Sequence, residues 1–134
     1  TAFMAAPSCF MLTQLLQPAE RDELRKIINV YKENRNEIFE NYVFPVGSEP
    51  NNASWTGFQI YHPDKKYGYL MVFRELHNPD QEGTIKLRFI RDGKMKITDL
   101  EDNSVESIRL NDGVLNLKIE HPAGYRFLKY EIVN

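Results

Sequence analysis

Hydrophobic and polar positions change period along the chain, and the changes divide it into three zones. From Thr1 to Leu16 charge is almost absent, and Phe3, Met4, Phe10, Met11, Leu12, Leu15 and Leu16 leave no polar face on a helix that holds them. A helix apolar on nearly all sides expects burial in a larger body. Ala5-Ala6-Pro7 precedes this run, and helix is expected from Ser8. Pro18 then opens a second helix, where proline suits the first turn and Glu20, Asp22 and Glu23 sit near the positive end of the dipole. Leu24, Ile27, Ile28, Tyr31 and Ile38 recur at helical spacing, interrupted by Arg35. That stripe predicts a helix of about 23 residues ending near Glu40.

From Ser54 the period becomes two. Thr84-Ile85-Lys86-Leu87-Arg88-Phe89 alternates, which puts Ile85, Leu87 and Phe89 inward and Lys86 and Arg88 outward. Asp92-Gly93 reads as a tight hairpin turn into Lys94-Met95-Lys96-Ile97, and Asn111-Asp112-Gly113 as another before Val114 to Ile119. Both turns need residues that accept positive φ. The other strands are expected at Trp55 to Tyr61, Tyr67 to Glu75, Val105 to Leu110 and Tyr125 to Val133. The expected fold is therefore α+β. A helical segment over 1–41 and a linker loop over 42–53 precede an antiparallel β-sandwich of about seven strands over 54–134. The loop is placed by Pro45, Gly47, Pro50 and Asn51-Asn52.

Composition agrees with one globular domain: 134 residues, 42% hydrophobic and 27% charged, can bury a core of their own. The 17 basic and 19 acidic residues are spread along the chain, so no basic stripe points to nucleic acid and no polybasic run to a membrane surface. No apolar stretch approaches the roughly 18 residues that span a bilayer. Cys9 stands alone, which excludes an intrachain disulfide, and reads as a small buried hydrophobe. The first eleven residues lack the charged leader of a signal peptide. A chain that opens in mid-pattern is expected to belong to a larger protein.

The candidate chemistry is sparse. No metal motif, phosphate loop or catalytic triad is present, and no cofactor is expected. His62, His77 and His121 each lie beside turn residues and share no ligand spacing, so they read as loop histidines. Asp64, Asp80, Asp92, Asp99, Asp102 and Asp112 fall where turn chemistry alone explains aspartate. Asn52-Ala53-Ser54 matches a glycosylation sequon. The aromatic set Trp55, Phe58, Tyr61, Tyr67 and Tyr69 has two readings. Its rings could stack on sugar faces while Asn51, Asn52 and Gln59 bind hydroxyls, with Trp55, Gln59 and Tyr61 as the contact residues. Alternatively the rings fill the sandwich core and its seam with the long helix. Period two places Trp55, Gly57 and Gln59 on one face and Phe58 on the other.

Three segments carry a family resemblance: Ala5-Ala6-Pro7 followed by Met11, the helix containing Tyr31-Lys32-Glu33-Asn34-Arg35, and Ser54-Trp55-Thr56-Gly57-Phe58-Gln59 followed by Tyr69-Leu70-Met71-Val72-Phe73-Arg74-Glu75. Together they resemble the C-terminal region of an α-galactosidase (melibiase)-type glycoside hydrolase, where a last barrel helix runs into a β-sandwich. The resemblance covers about Phe3 to Val133. It implies that the catalytic aspartates lie on a barrel preceding Thr1, so no catalytic residue falls on this chain. Glycosidases need two carboxyls about 5–10 Å apart, and no acid pair stands out here. The implied function is a non-catalytic sandwich flanking or stabilising the catalytic barrel of the same parent chain. The alternative is a free-standing carbohydrate-binding or protein-interaction module. Exposed apolar residues between 3 and 16 are expected to join two copies into a homo-oligomer where no barrel covers them.

Overall fold

The computed structural model describes Met4 and residues 13–133. The expected helix start at Ser8, Cys9, and most of the 3–16 surface expected to join two copies lie outside the described residues. A short 3-10 turn (Thr13–Leu15) leads into α1 (Pro18–Phe39). The helix starts where Glu20 reaches back to accept the Gln17 N–H at 2.7 Å, satisfying one of the donors a helix start leaves free.

Eight strands follow: β1 (Tyr42–Gly47), β2 (Trp55–Tyr61), β3 (Tyr67–Arg74), β4 (Glu82–Lys86), β5 (Gly93–Asp99), β6 (Val105–Leu110), β7 (Val114–Lys118) and β8 (Tyr125–Val133). Six form one antiparallel sheet in the order β1-β2-β3-β8-β5-β6, and β4 pairs with β7 in a second sheet. The α+β, sandwich-like fold stands, with one strand more than expected. That strand is β1, which lies inside the segment expected to be linker.

Side-chain alternation explains the layering. In β3, Leu70 and Val72 point toward β4 and β7, where they join Ile85, Leu87, Leu115, Leu117 and Ile119. The intervening Tyr69 and Met71 point the other way and meet Ile38 of α1, Ile60 and Phe127. The six-stranded sheet is thus covered by α1 on one face and by the small sheet on the other. A strand buried on both faces shows a continuous apolar run, which is why Tyr69-Leu70-Met71-Val72 does not alternate in sequence. The outer sheet keeps one wet face, so β4 and β7 do alternate.

Both expected hairpins need correction. Asp112 and Gly113 take φ of 51° and 73°, and the Val114 N–H meets the Asn111 carbonyl at 3.0 Å, so the tight turn forms. It joins β6 of one sheet to β7 of the other instead of pairing neighbours. Likewise β4 and β5 lie in different sheets on either side of Asp92-Gly93. The helical stripe is also shifted. Val30 and Ile38 face the sheet, whereas Leu24 and Ile28 line a flank with Leu16, Arg21 and Lys32.

Polar residues fix the helix in its seat. The buried Tyr69 hydroxyl lies 3.0 Å from Asn34 Oδ1 and donates to the Glu37 carboxylate. Lys129 Nζ meets the same carboxylate at 2.8 Å while standing 5.0 Å over the Tyr67 ring. Burial works to raise the Glu37 carboxyl, but Lys129 and Tyr69 outweigh it and hold the group below the ordinary range. A carboxyl depressed in the folded state stabilises above its unfolded pKa and loses that contribution as pH falls through the folded one. The loss is therefore expected to begin near the ordinary glutamate value of about 4.3 and to finish below the depressed one. The urea midpoint of Glu37→Gln should fall less than that of the unaltered chain across this window. Equal falls would contradict the assignment.

Candidate functional site

The three residues marked as sugar contacts separate. Trp55 is 9% exposed and packs in the core between the sheets. Its indole occupies the space above Gly83, where a Cβ would strike the ring, so β4 crosses here only because Gly83 has no side chain. Gly83→Ala is expected to cost about 1–3 kcal/mol by overpacking; a neutral result in urea unfolding would show that the indole can move aside. Gln59 is 0% exposed. Neither residue presents a face to a ligand, which corrects the platform reading for both. Tyr61 alone reaches the surface, half-buried on the same sheet face.

What Gln59 does instead is local and specific. Its amide oxygen accepts the Arg88 N–H at 2.7 Å, and its amide nitrogen donates to the Arg88 carbonyl at 3.1 Å. The nitrogen also lies 3.2 Å from the Tyr130 hydroxyl, which itself donates to the Ile60 carbonyl. One side chain thereby satisfies both backbone groups of a residue just beyond β4. On either side of that point Leu87 and Ile90 are buried in the core. The Leu87 N–H is also tied to the Gly113 carbonyl at 2.8 Å.

Between two such fixed points the chain must leave the core and return within two residues. It does so by placing Phe89 at φ 65°, a left-handed conformation that costs a bulky residue about 1–2 kcal/mol. The expected inward Phe89 is thus overturned: its ring is 60% exposed. The ring does not stand alone. Phe44 meets it edge to face at 4.9 Å between centroids, and Tyr61 stacks on it at 5.0 Å. Phe89→Gly is expected to be more stable than Phe89→Ala by about 1 kcal/mol, because glycine enters this conformation without a Cβ penalty. Thermal unfolding of the two variants checks it, and the reverse order would remove the strain argument.

Phe44 belongs to β1, an edge strand where Pro45 is tolerated because no further strand needs a donor at that position. The Pro45 carbonyl instead accepts Arg88 Nε–H at 2.9 Å, tying the edge to the Phe89 segment. Tyr42 is 62% exposed on the same face and stacks with His62 at 6.2 Å. Val43, on the opposite face of β1, and Phe39, at the end of α1, are exposed as well. Apolar side chains therefore rim the β1 edge on both faces. The rim escaped sequence reasoning because Pro45 and Gly47 mark a loop. The usable signal was the apolar triplet Tyr42-Val43-Phe44 within it.

Glu75 and Asp99 are engaged in architecture. Glu75 accepts the N–H groups of Ser54 at 2.8 Å and Asn51 at 3.0 Å, and these bonds hold its carboxyl below the ordinary range. Asp99 pairs with Arg126 at 2.9 Å and accepts the Glu101 N–H. Among the described residues no three His, Cys, Asp or Glu side chains gather as a metal site, and no helix is long and apolar enough to cross a membrane. His77 and His121 are exposed, as loop histidines should be. No known family, curated protein or solved structure matches the chain, and the resemblance to α-galactosidases gains no support from these comparisons.

Proposed function

We propose that the chain is a non-catalytic domain that docks onto another protein domain through the apolar rim of β1. The observation carrying this reading is the exposure of Phe39, Tyr42, Val43 and Phe89 around one edge strand, with Phe89 in a strained backbone. Aromatic anchors of this kind dominate the centres of protein interfaces. Tyr61 stacks on Phe89 and Phe44 meets it edge to face, and the exposed remainder of the Phe89 ring projects as a knob suited to an apolar pocket. In the arrangement expected from the resemblance, the neighbour is the catalytic barrel of an α-galactosidase-like hydrolase in the same polypeptide.

In that longer polypeptide, Tyr42→Ser together with Phe89→Ser is expected to lower the melting temperature of the neighbouring domain. Leu76→Ser, an exposed apolar position away from the rim, should leave it unchanged. Equal effects from both changes would overturn the proposal. An oligosaccharide that stabilises the 134-residue chain, with the effect lost in Tyr61→Ala, would favour sugar recognition instead. The pure chain is also expected to leave aryl galactosides intact, and hydrolysis abolished by changing one carboxylate would contradict the non-catalytic reading.

A further inference from the structure

We infer that the free edge of β6 takes up an extended acidic peptide as a further strand, with the peptide's carboxylates on the Lys94 and Arg109 side of the sheet. This edge lies at the far end of the sheet from β1, and the inference does not depend on the docking function proposed above. Three observations carry it. The first is that the edge is open: β6 ends the six-stranded sheet, so its outer N–H and C=O groups have no strand beside them. Sheets blunt such an edge with proline or a bulge. The β1 edge has Pro45, whereas Val105-Glu106-Ser107-Ile108-Arg109-Leu110 has no proline and pairs with β5 residue by residue, without a bulge. The second is charge: Lys94 of β5 and Arg109 of β6 are direct cross-strand partners, and both are exposed. Like charges so placed destabilise a sheet. Among the described residues neither of the two forms an ion pair. Lys96, two residues on, has Glu131 at 3.8 Å, and the Asp92 carboxylate is turned on the Asp112 N–H at 3.0 Å. The third is room: a hollow of about 690 Å³ lies at this pair, lined also by Asp92, Ser107 and Val133 and by no residue of α1.

A strand laid along β6 runs about 5 Å from it and about 10 Å from β5. Its alternate side chains fall on one face, so glutamate at every second position brings carboxylates to the Arg109 guanidinium and within reach of the long Lys94 side chain. Main-chain bonds to the edge then supply affinity, and the alternate side chains supply selection. The same carboxylates relieve the repulsion between Lys94 and Arg109, while a basic strand would add to it. A second copy of β6 cannot serve in this way. Antiparallel pairing about a two-fold axis normal to the sheet keeps every side chain on its own face, and Glu106 lies on the face of Ile108 and Leu110, away from Arg109.

The test uses the 134-residue chain, followed by NMR, and a capped peptide that alternates threonine with glutamate and is long enough to span β6. On adding it, hydrogen exchange at the outward amides of β6 should slow at least about tenfold, with β1 and β7 unaffected. Binding should weaken as salt is raised. Lys94→Glu should weaken it at least about tenfold, because a carboxylate then faces the peptide's own. The same change should raise the urea midpoint of the free chain, since it replaces a like-charge cross-strand pair with an opposite-charge one. A loss of binding through damage to the fold would lower that midpoint instead. The double variant Lys94→Glu with Arg109→Glu should prefer a peptide alternating threonine with lysine. Equal binding of a peptide with proline in place of each threonine, which keeps the carboxylates but cannot pair as a strand, would overturn strand addition. Equal binding of the lysine peptide by the unaltered chain would overturn recognition of acid. Protection of β6 that grows with protein concentration and needs no peptide would give the edge to a second copy and also overturn the inference.

Discussion

Replacing Arg74 with methionine is expected to lower the unfolding free energy by at least about 3 kcal/mol, one of the two largest single losses anticipated in this chain. Arg74 lies at the end of β3 and is 4% exposed. Its guanidinium makes five hydrogen bonds to four backbone carbonyls: Asn78 twice, Pro79, Ile119 and Glu120. A flat fork of five donors is thus matched to oxygens from the loops that follow β3 and β7. These loops carry the chain between the two sheets, so the guanidinium stitches the layers at one end. Methionine fills similar volume but leaves those carbonyls without their donor. Lysine should recover little, because one compact ammonium cannot reach oxygens arranged around a plane. Urea unfolding measures the loss directly. A methionine variant within about 1 kcal/mol of the unaltered chain would mean that other contacts hold both loops.

Tyr69→Ala comes next, at about 3–5 kcal/mol. This ring is fully buried under α1, 6.1 Å from Phe127, and its hydroxyl reaches Glu37 and Asn34. Burial, then the neighbouring Glu37 carboxylate, push that hydroxyl well above the ordinary tyrosine range. It therefore stays protonated and remains a donor at every pH the protein meets. Tyr69→Phe separates the two contributions and should cost about 1.5–3 kcal/mol, the worth of a hydrogen bond to a charged partner. Hydrogen exchange in the α1 amides should quicken in the alanine variant more than in the strands of the far sheet. Uniform acceleration would contradict the view that Tyr69 seats the helix in particular.

Strand existence was legible wherever one face is wet or a run is long: β2, β6 and β8 fall where period two and β-branched or aromatic content put them. The face assignment of Trp55 against Phe58 also held, since pleating alone determines it. Pairing was not legible. Turn chemistry at Asn111-Asp112-Gly113 specifies a local reversal, and nothing local says whether the next strand stays in the same sheet. Phe89 shows the limit most clearly. Alternation from Ile85 predicts it inward, but the strand ends at Lys86 because Gln59, 29 residues earlier, captures Arg88. A bond between residues so far apart leaves no trace in a pattern of hydrophobic positions. For the same reason Trp55 and Gln59 resemble sugar contacts in sequence, while in three dimensions one fills the core and the other holds a loop.

The docking claim is tested most directly by hydroxyl-radical footprinting of the 134-residue chain against the longer polypeptide expected to contain it. Phe39, Tyr42 and Phe89 should be oxidised readily in the shorter chain and protected at least about tenfold in the longer one, while exposed Leu76 reacts alike in both. Equal labelling of the three rings in the two proteins would contradict the account.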